Sequence, residues 1–579
     1  MFCASHLWRS GALRAVAVGG GGTLAAAAAA AAACACAAAD AGAGEEPARR
    51  PPTDVEATGP AAPLARRPGP AARPGERVYT RAEVAANDGA DGRPMWLTYR
   101  DGVYDVTAFQ REHPGGHLIT QAAGADVSAF WDIWAYHHQA PKVGQYLESL
   151  RVGTLRAEDV VGGTEAGSAD DPYQSEPVRA GQSVQTVLSV RPYCSETPNK
   201  ALGASYLTSA AALYVRNHAP VPDVAWPPQG ESRAAHTLRH EVVFEPLGNG
   251  GGGGGGDDDD DEAPAFTVAQ LQARFGTTTV TSILQCAGNR ASEDIAATGA
   301  SGFAGTPFED ITQGMLGNAQ WTGVRLADVL PALYPEACAA ARRHGGGEWH
   351  VVFEGADGYS ASTPLARVMA RQNDCLLATH MNGEPLSPDH GYPVRALLPG
   401  VAGARNVKWL QSVSLQRSAV DAPWNAYYYK NAKAEEIQGL PLQSLILDAD
   451  AAVAGPAGTA AAAAAAATTT TTTATTLRLS GVAYSGGSGN AIARVEVSAD
   501  GGETWSDADI NTDEIKADGS QGSFGWVRWS AELEVGAEVG SVCCRATDVE
   551  GKTQQEVPAK ERGYIFNGWS KVDVGHATP

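Results

Sequence analysis

The chain has 579 residues and a formal net charge of −22. This length exceeds one ordinary hydrophobic core, so three or four structural units are expected. The charge argues against a nucleic-acid-binding protein, whose phosphate contacts need clustered lysine and arginine, and it suits a soluble protein with a basic partner. The nine cysteines show no paired CxxC spacing, which argues against a disulfide scaffold and against a zinc site.

The first 39 residues are typical of a targeting segment. Arg9 and Arg14 are its early charges, no acidic residue precedes Asp40, and an alanine-rich stretch ends at residue 39. A segment with arginine and no acidic residues predicts a mitochondrial transit peptide. The apolar stretch that follows suits a signal for sorting to the intermembrane space. The alternatives are a secretory signal and a general compositional bias of this chain towards alanine. A stable membrane span is not predicted, because alanine is only weakly apolar. Residues 40–75 are predicted to be a linker.

Residues 76–155 are predicted to form a compact unit around the sequence His-Pro-Gly-Gly at 113–116. Proline fixes the turn and the glycines let a flat ligand approach, so His113 is well placed to bind an iron atom. The opposite face of the iron then needs a second ligand, for which His137 and His138 are the candidates. Apolar and aromatic residues that could line a haem surround them: Phe109, Leu118, Phe130, Trp131 and Trp134.

Three motifs in this unit resemble those of cytochrome b5 domains. They are Val-Tyr-Asp-Val-Thr at 103–107, His-Pro-Gly-Gly at 113–116 and Phe-Trp at 130–131. The resemblance implies a small α+β haem domain that binds haem b through His113 and His137, with His138 as a bystander. Two imidazole ligands leave no open position on the iron, so this haem is expected to carry electrons.

A predicted flexible linker, 156–187, separates this unit from a long domain at 188–435 that contains Cys286. A β-branched run at 277–283 precedes the sequence Leu-Gln-Cys-Ala-Gly-Asn-Arg, which ends at Arg290. A strand that delivers a cysteine into a glycine-containing turn exposes a thiolate, and the nearby Arg290 is expected to lower the thiol pKa. The residues alone indicate either a reactive or metal-binding cysteine or a buried structural one.

The ordered motifs of this domain resemble the sulfite oxidase and nitrate reductase family. Besides 285–290, they are found at 216–218, 321–326, 353–357, 389–395, 399–400 and 403–409. The resemblance implies a mixed α+β molybdopterin domain in which the Cys286 sulfur binds molybdenum. Arg395 and Lys408 would hold the pterin phosphate, and Asp357 and His390 its polar edges. The implied cofactor-binding residues also include Tyr214, Val215, Arg216, Asn217, His218, Asn406 and Val407.

The same resemblance implies a pocket for a small sulfur anion lined by Arg216, Trp321 and Tyr429. Two departures from the family pattern concern this pocket. Ala291 stands where a second arginine usually follows, and Asn490 most closely matches a pocket arginine carried by the C-terminal domain. Each lost charged contact could cost on the order of 1.5–3 kcal/mol of binding free energy. Three outcomes are open: sulfite binds more weakly, neighbouring residues compensate for the lost charge, or the substrate range has shifted.

Residues 436–579 are predicted to form an immunoglobulin-like β-sandwich. Short alternating strands are expected at 477–483, 491–498, 525–529 and 542–546. Two low-complexity inserts, a Gly/Asp run at about 248–263 and an Ala/Thr run at about 451–476, are predicted to be exposed disordered loops. The resemblance implies that the sandwich forms a homodimer.

The haem unit precedes the molybdenum unit, as in animal-type sulfite oxidases. The resemblance therefore implies oxidation of sulfite to sulfate, with electrons passing singly through haem b to cytochrome c. A nitrate reductase-like enzyme is the first alternative, although no flavin- or nucleotide-binding glycine fingerprint follows residue 477. The second is a haem electron carrier with an impaired molybdenum site, which the departures at Ala291 and Asn490 keep open.

Overall fold

A computed structural model describes most of the chain from residue 75 to residue 574. Outside the described residues are 1–74, 112, 114–118, 121, 134–136, 138–140, 161–172, 174–175, 180–183, 229, 248–262, 300–308, 344–348, 423–424, 426–428, 431–434, 453–474, 515–523, 537–538, 559–563 and 575–579. The predicted targeting segment, nearly all of the first linker and most of both low-complexity inserts therefore lie outside them. Among the described helices, none is long and apolar enough to cross a membrane.

In its described residues, the N-terminal unit is a small four-stranded sheet with three α-helices. Its elements are β1 (Val78–Tyr79), α1 (Arg81–Ala85), β2 (Trp96–Tyr99), β3 (Gly102–Asp105), α2 (Ser128–Ile133), α3 (Pro141–Ser149) and β4 (Arg151–Leu155). The strand order is β1-β4-β3-β2. Helix α1 begins at a capping box, in which the Thr80 hydroxyl accepts from the Glu83 amide and the Glu83 carboxylate accepts from the Thr80 amide. This unit confirms a small α+β domain.

The second unit holds three sheets around one large apolar core. Its strands are β5 (Thr186–Val190), β6 (Tyr193–Glu196), β7 (Val215–Arg216), β8 (Glu241–Phe244), β9 (Ala265–Thr267), β10 (Thr278–Gln285), β11 (Leu316–Arg325), β12 (His350–Gly355), β13 (Ser360–Pro364), β14 (Leu376–Met381), β15 (Glu384–Pro385), β16 (Arg395–Leu397) and β17 (Leu410–Gln416). Its helices are α4 (Asn199–Ala204), α5 (Arg233–Arg239), α6 (Val268–Phe275), α7 (Ala291–Thr298), α8 (Leu326–Leu333), α9 (Pro335–Arg343) and α10 (Leu365–Met369).

Two five-stranded sheets of this unit position the residues that matter for function. One has the order β10-β11-β14-β15, with β16 pairing to β14, and the other has the order β13-β12-β17-β8-β9. The three-stranded sheet β5-β6-β7 adds Arg216 at the end of its last strand. Because β10 is buried along its last six residues, the chain delivers Cys286 directly into the interior.

The C-terminal unit is a β-sandwich of two four-stranded sheets. Its strands are β18 (Gln443–Ala452), β19 (Thr475–Tyr484), β20 (Ile492–Ser498), β21 (Ser506–Asp507), β22 (Asp509–Asn511), β23 (Val527–Val535), β24 (Ser541–Asp548) and β25 (Ser570–Asp573). The sheet orders are β18-β19-β23-β22 and β21-β20-β24-β25. Inward residues of both sheets, such as Leu479, Val497, Trp529 and Cys544, share one core. The structure has a strand at each of the four predicted positions, and three of these strands are longer than predicted.

Both low-complexity inserts join neighbouring antiparallel strands. Ala452 of β18 is the register partner of Thr476 of β19, so the Ala/Thr insert leaves and re-enters at one end of a hairpin. The Gly/Asp insert likewise joins β8 to its antiparallel neighbour β9. Strand pairing on both sides of an insert fixes its two ends, which is how a fold accepts extra length without a change of core.

Candidate functional site

An open cavity of about 640 Å³ lies in the second unit, next to the Cys286 loop. Twelve of the fourteen residues predicted to bind the molybdopterin cofactor or sulfite line it, and only Asn217 and Trp321 do not. The lining residues are Tyr214, Val215, Arg216, His218, Leu284, Cys286, Asp357, Tyr359, Asp389, His390, Arg395, Gly403, Ala404, Asn406, Val407, Lys408, Trp409 and Tyr429.

Cys286 follows the last residue of β10 and is held by backbone contacts. Its amide donates to the Met315 carbonyl at 2.9 Å, and the Gly288 amide lies 3.4 Å from its sulfur. Burial raises the pKa of the Cys286 thiol, while the Gly288 amide and the charge of Arg216 oppose that effect. A thiol in this setting becomes a thiolate when a metal cation replaces its proton.

Arg290 does not play the electrostatic role predicted for it. Its backbone lies in the left-handed region at φ +67°, and its fully buried side chain is directed towards the C-terminal sandwich. The guanidinium donates to the carbonyls of Gly568 at 2.7 Å and Trp569 at 3.0 Å, and it pairs with Glu293 at 2.6 Å. Arg216 is the arginine whose charge acts on the Cys286 thiol.

Two predicted phosphate ligands, Arg395 and Lys408, line the cavity in fixed orientations. Arg395 donates to the carbonyls of His390 and Asn406, both at 3.0 Å. The Lys408 ammonium donates to the Asp389 carbonyl at 3.0 Å and to the side-chain oxygen of Asn217. Asn217 therefore lies behind the wall and acts through Lys408. Burial lowers the pKa of Lys408 to about 7, so an anionic group bound there would restore its full charge.

The polar groups around these cations have pKa values that burial shifts from their ordinary ranges. Burial raises the pKa of Asp357 to about 6, against a hydrogen bond from the Tyr359 amide. Burial lowers the pKa of His390 to about 4, and its Nε2 contacts the Ala210 carbonyl at 3.0 Å. The Asn406 side chain bonds to backbone, accepting from the Leu398 amide at 2.7 Å. Buried donors and acceptors beside cations suit a polar, anionic ligand such as a pterin phosphate.

Arg216, His218 and Tyr429 come from two segments far apart in sequence. The Tyr429 hydroxyl lies 3.2 Å from His218 Nε2, and the Tyr429 backbone adopts φ +49°. A left-handed tyrosine is strained, and such conformations cluster at functional sites. Burial, then the charges of Arg216 and Lys408, lower the pKa of His218 well below its ordinary value, so His218 is neutral.

The two predicted haem ligands face each other in the N-terminal unit. The ring centres of His113 and His137 are 6.4 Å apart, and their planes differ by 19°. Two imidazole rings in this facing arrangement would suit the two histidine ligands of one haem iron. Phe109 and Trp131 flank these rings at 5.5 and 5.2 Å. The residues present therefore fit a haem, whereas His138, Leu118 and Trp134 lie outside the described residues.

Comparison with known proteins gives three matching families along the chain. Residues 80–156 match the cytochrome b5-like heme/steroid binding domain, residues 257–424 the oxidoreductase molybdopterin binding domain, and residues 446–577 the Mo-co oxidoreductase dimerisation domain. Mitochondrial sulfite oxidase of Mus musculus is 33% identical over 86% of this chain and 84% of its own length. The chain belongs to the sulfite oxidase family.

Two further relatives distinguish the similarity to sulfite oxidases from the similarity to nitrate reductases. Sulfite oxidase of Gallus gallus is 33% identical and is covered over 99% of its length. An inducible NADH nitrate reductase of Glycine max is 28% identical and is covered over only 46% of its length. The match to sulfite oxidases thus runs through all three units, whereas more than half of the nitrate reductase has no counterpart here.

Trp321 corrects the prediction for the substrate pocket of this sulfite oxidase family member. It is fully buried in β11, and its indole nitrogen donates to the Ser282 carbonyl at 3.3 Å. The Arg395 guanidinium lies 5.3 Å from its ring centre. Trp321 therefore packs behind Arg395, one of the two predicted phosphate ligands.

Ala291 and Asn490, the two departures from the family pattern, also lie away from the lining. Ala291 is buried as the first residue of α7. The Asn490 amide donates to Asp548 at 3.0 Å within the sandwich, so it does not replace a pocket arginine as predicted. Among the described lining residues, the permanently charged cation beside Cys286 is Arg216.

Six lining residues received no role from the sequence: Leu284, Tyr359, Asp389, Gly403, Ala404 and Trp409. The Tyr359 hydroxyl donates to the Ala404 carbonyl at 2.8 Å, and its ring lies 5.3 Å from that of His218. Asp389 directly precedes the predicted ligand His390, and that adjacency was the available signal. Tyr359 comes two residues after Asp357, whose carboxylate accepts from its amide at 3.1 Å, so an Asx turn could have indicated it.

Proposed function

We propose that this protein is a sulfite oxidase that converts sulfite to sulfate at a molybdenum–molybdopterin centre. The observation that carries the proposal is one cavity in which Cys286, Arg216 and Tyr429 lie together with Arg395 and Lys408. A thiolate donor, a cation for the substrate anion and cations for a cofactor phosphate are the three features that such a reaction requires of its protein.

Each residue has a role that its surroundings support. When bound, the molybdenum centre supplies an oxygen atom and accepts two electrons. Cys286 holds the metal through its sulfur, Arg216 attracts and orients the sulfite anion, and Tyr429 adds a hydroxyl donor that neutral His218 fixes in place. Arg395 and Lys408 bind the pterin phosphate, with Asp357 and His390 at the pterin edges.

His113 and His137 would hold haem b as its two imidazole ligands. Such a haem carries single electrons and does not bind oxygen. We propose that the electrons pass from the haem to cytochrome c, a basic protein that the net charge of −22 would attract. The mitochondrial relatives support a mitochondrial location, and the alanine-rich apolar stretch of the predicted targeting segment supports the intermembrane space.

The C-terminal sandwich is the proposed homodimer contact. Its two sheets suit an immunoglobulin-like domain, and the family match at 446–577 is to a dimerisation domain. Light scattering of the purified chain should give twice the monomer mass of 59.9 kDa. A monomeric mass at micromolar concentration would contradict this assembly.

Anaerobic mixing tests the reaction. Sulfite is added to oxidised protein that contains both haem and molybdenum, and the haem absorbance is followed. Reduction is expected in the native protein and not in Cys286→Ser, whose haem spectrum should be unchanged because Cys286 lies outside the haem unit. Reoxidation of pre-reduced haem by nitrate would instead support a nitrate reductase. No change in the haem absorbance with either anion would indicate an impaired molybdenum site.

A further inference from the structure

The chain that connects the haem unit to the molybdopterin domain is anchored at the cavity wall. Tyr173 is 3% exposed, and Glu176 accepts from the Val221 amide at 2.9 Å. Both belong to the segment predicted to be a flexible linker, together with Arg179. The described residues 176–179 therefore belong structurally to the molybdopterin domain, and we call Tyr173, Glu176 and Arg179 the linker clamp.

Arg179 makes the strongest contact of the linker clamp. Its Nε and Nη2 donate to the two carboxylate oxygens of Asp389, each at 2.9 Å. Its guanidinium also lies 3.8 Å from the ring centre of Tyr193 and pairs with Glu176. The Arg179 and Asp389 side chains are only 10% and 12% exposed, so this two-point ion pair is largely shielded from solvent.

Asp389 transmits this contact into the cavity. It lines the cavity itself, and its carboxylate accepts from the Asn217 amide at 3.1 Å. Its backbone carbonyl accepts from the Lys408 ammonium at 3.0 Å, while Asn217 accepts from the same ammonium. Lys408 is thus bonded to neutral oxygens, because the nearby carboxylate is already engaged by Arg179.

We propose that Arg179 is a positioning residue for molybdopterin retention, acting by keeping the Asp389 carboxylate away from Lys408. Without Arg179 the Asp389 carboxylate would gain by pairing with the Lys408 ammonium, and it would then compete with the pterin phosphate for that cation. This inference rests on the proposed cofactor site. It adds that the segment after the haem unit takes part in holding the second cofactor.

The test uses the full-length protein loaded with molybdopterin. Arg179→Ala should release the pterin roughly 10-fold faster than wild type, the loss of about one charged hydrogen bond. Released pterin is oxidised and measured by its fluorescence, and haem content should be unchanged. Two controls should match wild type: Val178→Ala, at a position 96% exposed, and Arg239→Ala, whose side chain is 66% exposed.

A second variant separates this role from plain structural support. In Arg179→Ala/Asp389→Asn the competing carboxylate is gone, so release should be slower than in Arg179→Ala alone. A double variant as fast as the single one, or faster, would overturn the proposal, as would wild-type release in Arg179→Ala. A wild-type chain that binds no molybdopterin would instead overturn the proposed function, and this inference with it.

Discussion

At the scale of single residues, burial and the charge of Arg216 together shift the pKa values of His218 and Cys286. Its charge lowers the pKa of His218 in addition to burial and opposes the rise in the pKa of Cys286. A neutral His218 carries one ring proton, and with that proton on Nε2 it donates to the Tyr429 oxygen. The Tyr429 hydroxyl proton is then available to an anion bound beside Arg216.

Tyr429→Phe is expected to lower kcat/KM for sulfite by about 10- to 100-fold, since one hydrogen bond to a charged ligand is lost. Molybdenum and haem contents should stay at wild-type levels because the ring remains. Steady-state kinetics with sulfite measures the effect. Tyr334→Phe is the matched control, since the Tyr334 hydroxyl bonds to the Glu245 and Val413 carbonyls. Equal kcat/KM in both variants would exclude Tyr429 from substrate binding.

Glu196 gives the molybdopterin domain a pH-dependent stability. Burial raises the pKa of its carboxyl from 4.5 to about 7, although Thr312 donates to it from both its amide and its hydroxyl. Below pH 4.5 the carboxyl is protonated in both the folded and the unfolded chain. Between that value and about 7 the folded chain keeps a proton that the unfolded chain releases, so stability falls as the pH rises.

Glu196→Gln should therefore flatten this dependence by up to about 3 kcal/mol. The glutamine oxygen still accepts from Thr312, and it has no proton to lose. Thermal unfolding of cofactor-free protein at about pH 4.5 and about pH 8 measures the change. Glu158→Gln, with a side chain 71% exposed, should keep the wild-type dependence. The same loss of stability in wild type and Glu196→Gln would contradict the assignment.

At the scale of elements, the sequence predicted which short motifs carry site residues. It did not predict the directions in which the side chains of those motifs point. The loops at 285–290, 389–395 and 403–409 each carry site residues within a few positions, so local resemblance identifies them. Trp321 and Arg290 are in such motifs too, yet strand alternation buries one and a left-handed backbone turns the other away. Arg179 contacts a residue 210 positions away, and no local pattern predicts that.

Strand β19 offers a sharp test of packing in the sandwich. It pairs with β18 on one side and β23 on the other, and a Cβ added at Gly481 would lie 2.0 Å from the Leu445 carbonyl oxygen. Gly481→Ala should therefore destabilise the sandwich by about 1–3 kcal/mol or more. Gly540→Ala meets nothing within 4 Å and should unfold like wild type in calorimetry. Equal transitions in the two variants would show that β19 can shift freely.

At the scale of the whole molecule, two cofactor units and a sandwich are joined along one acidic chain. The linker clamp fixes Tyr173 and residues 176–179 to the molybdopterin domain, so the connection that links the haem unit to it is shorter than the sequence predicted. The order of the units could be read from motifs alone, because each carries its own signature. The point where the connection becomes part of the second unit depends on the Arg179–Asp389 pair and needed the structure.

The net charge of −22 predicts how a basic electron acceptor meets this molecule. Reduction of cytochrome c should slow several-fold as ionic strength rises from about 20 to about 200 mM, because the Debye length falls to about 10 Å near 0.1 M. Ferricyanide, an anion, is the control and should not slow. Removal of residues 257–262, six acidic residues in one insert, would weaken the salt effect only if that insert steers the partner. A cytochrome c rate independent of salt would mean that charge does not guide this encounter.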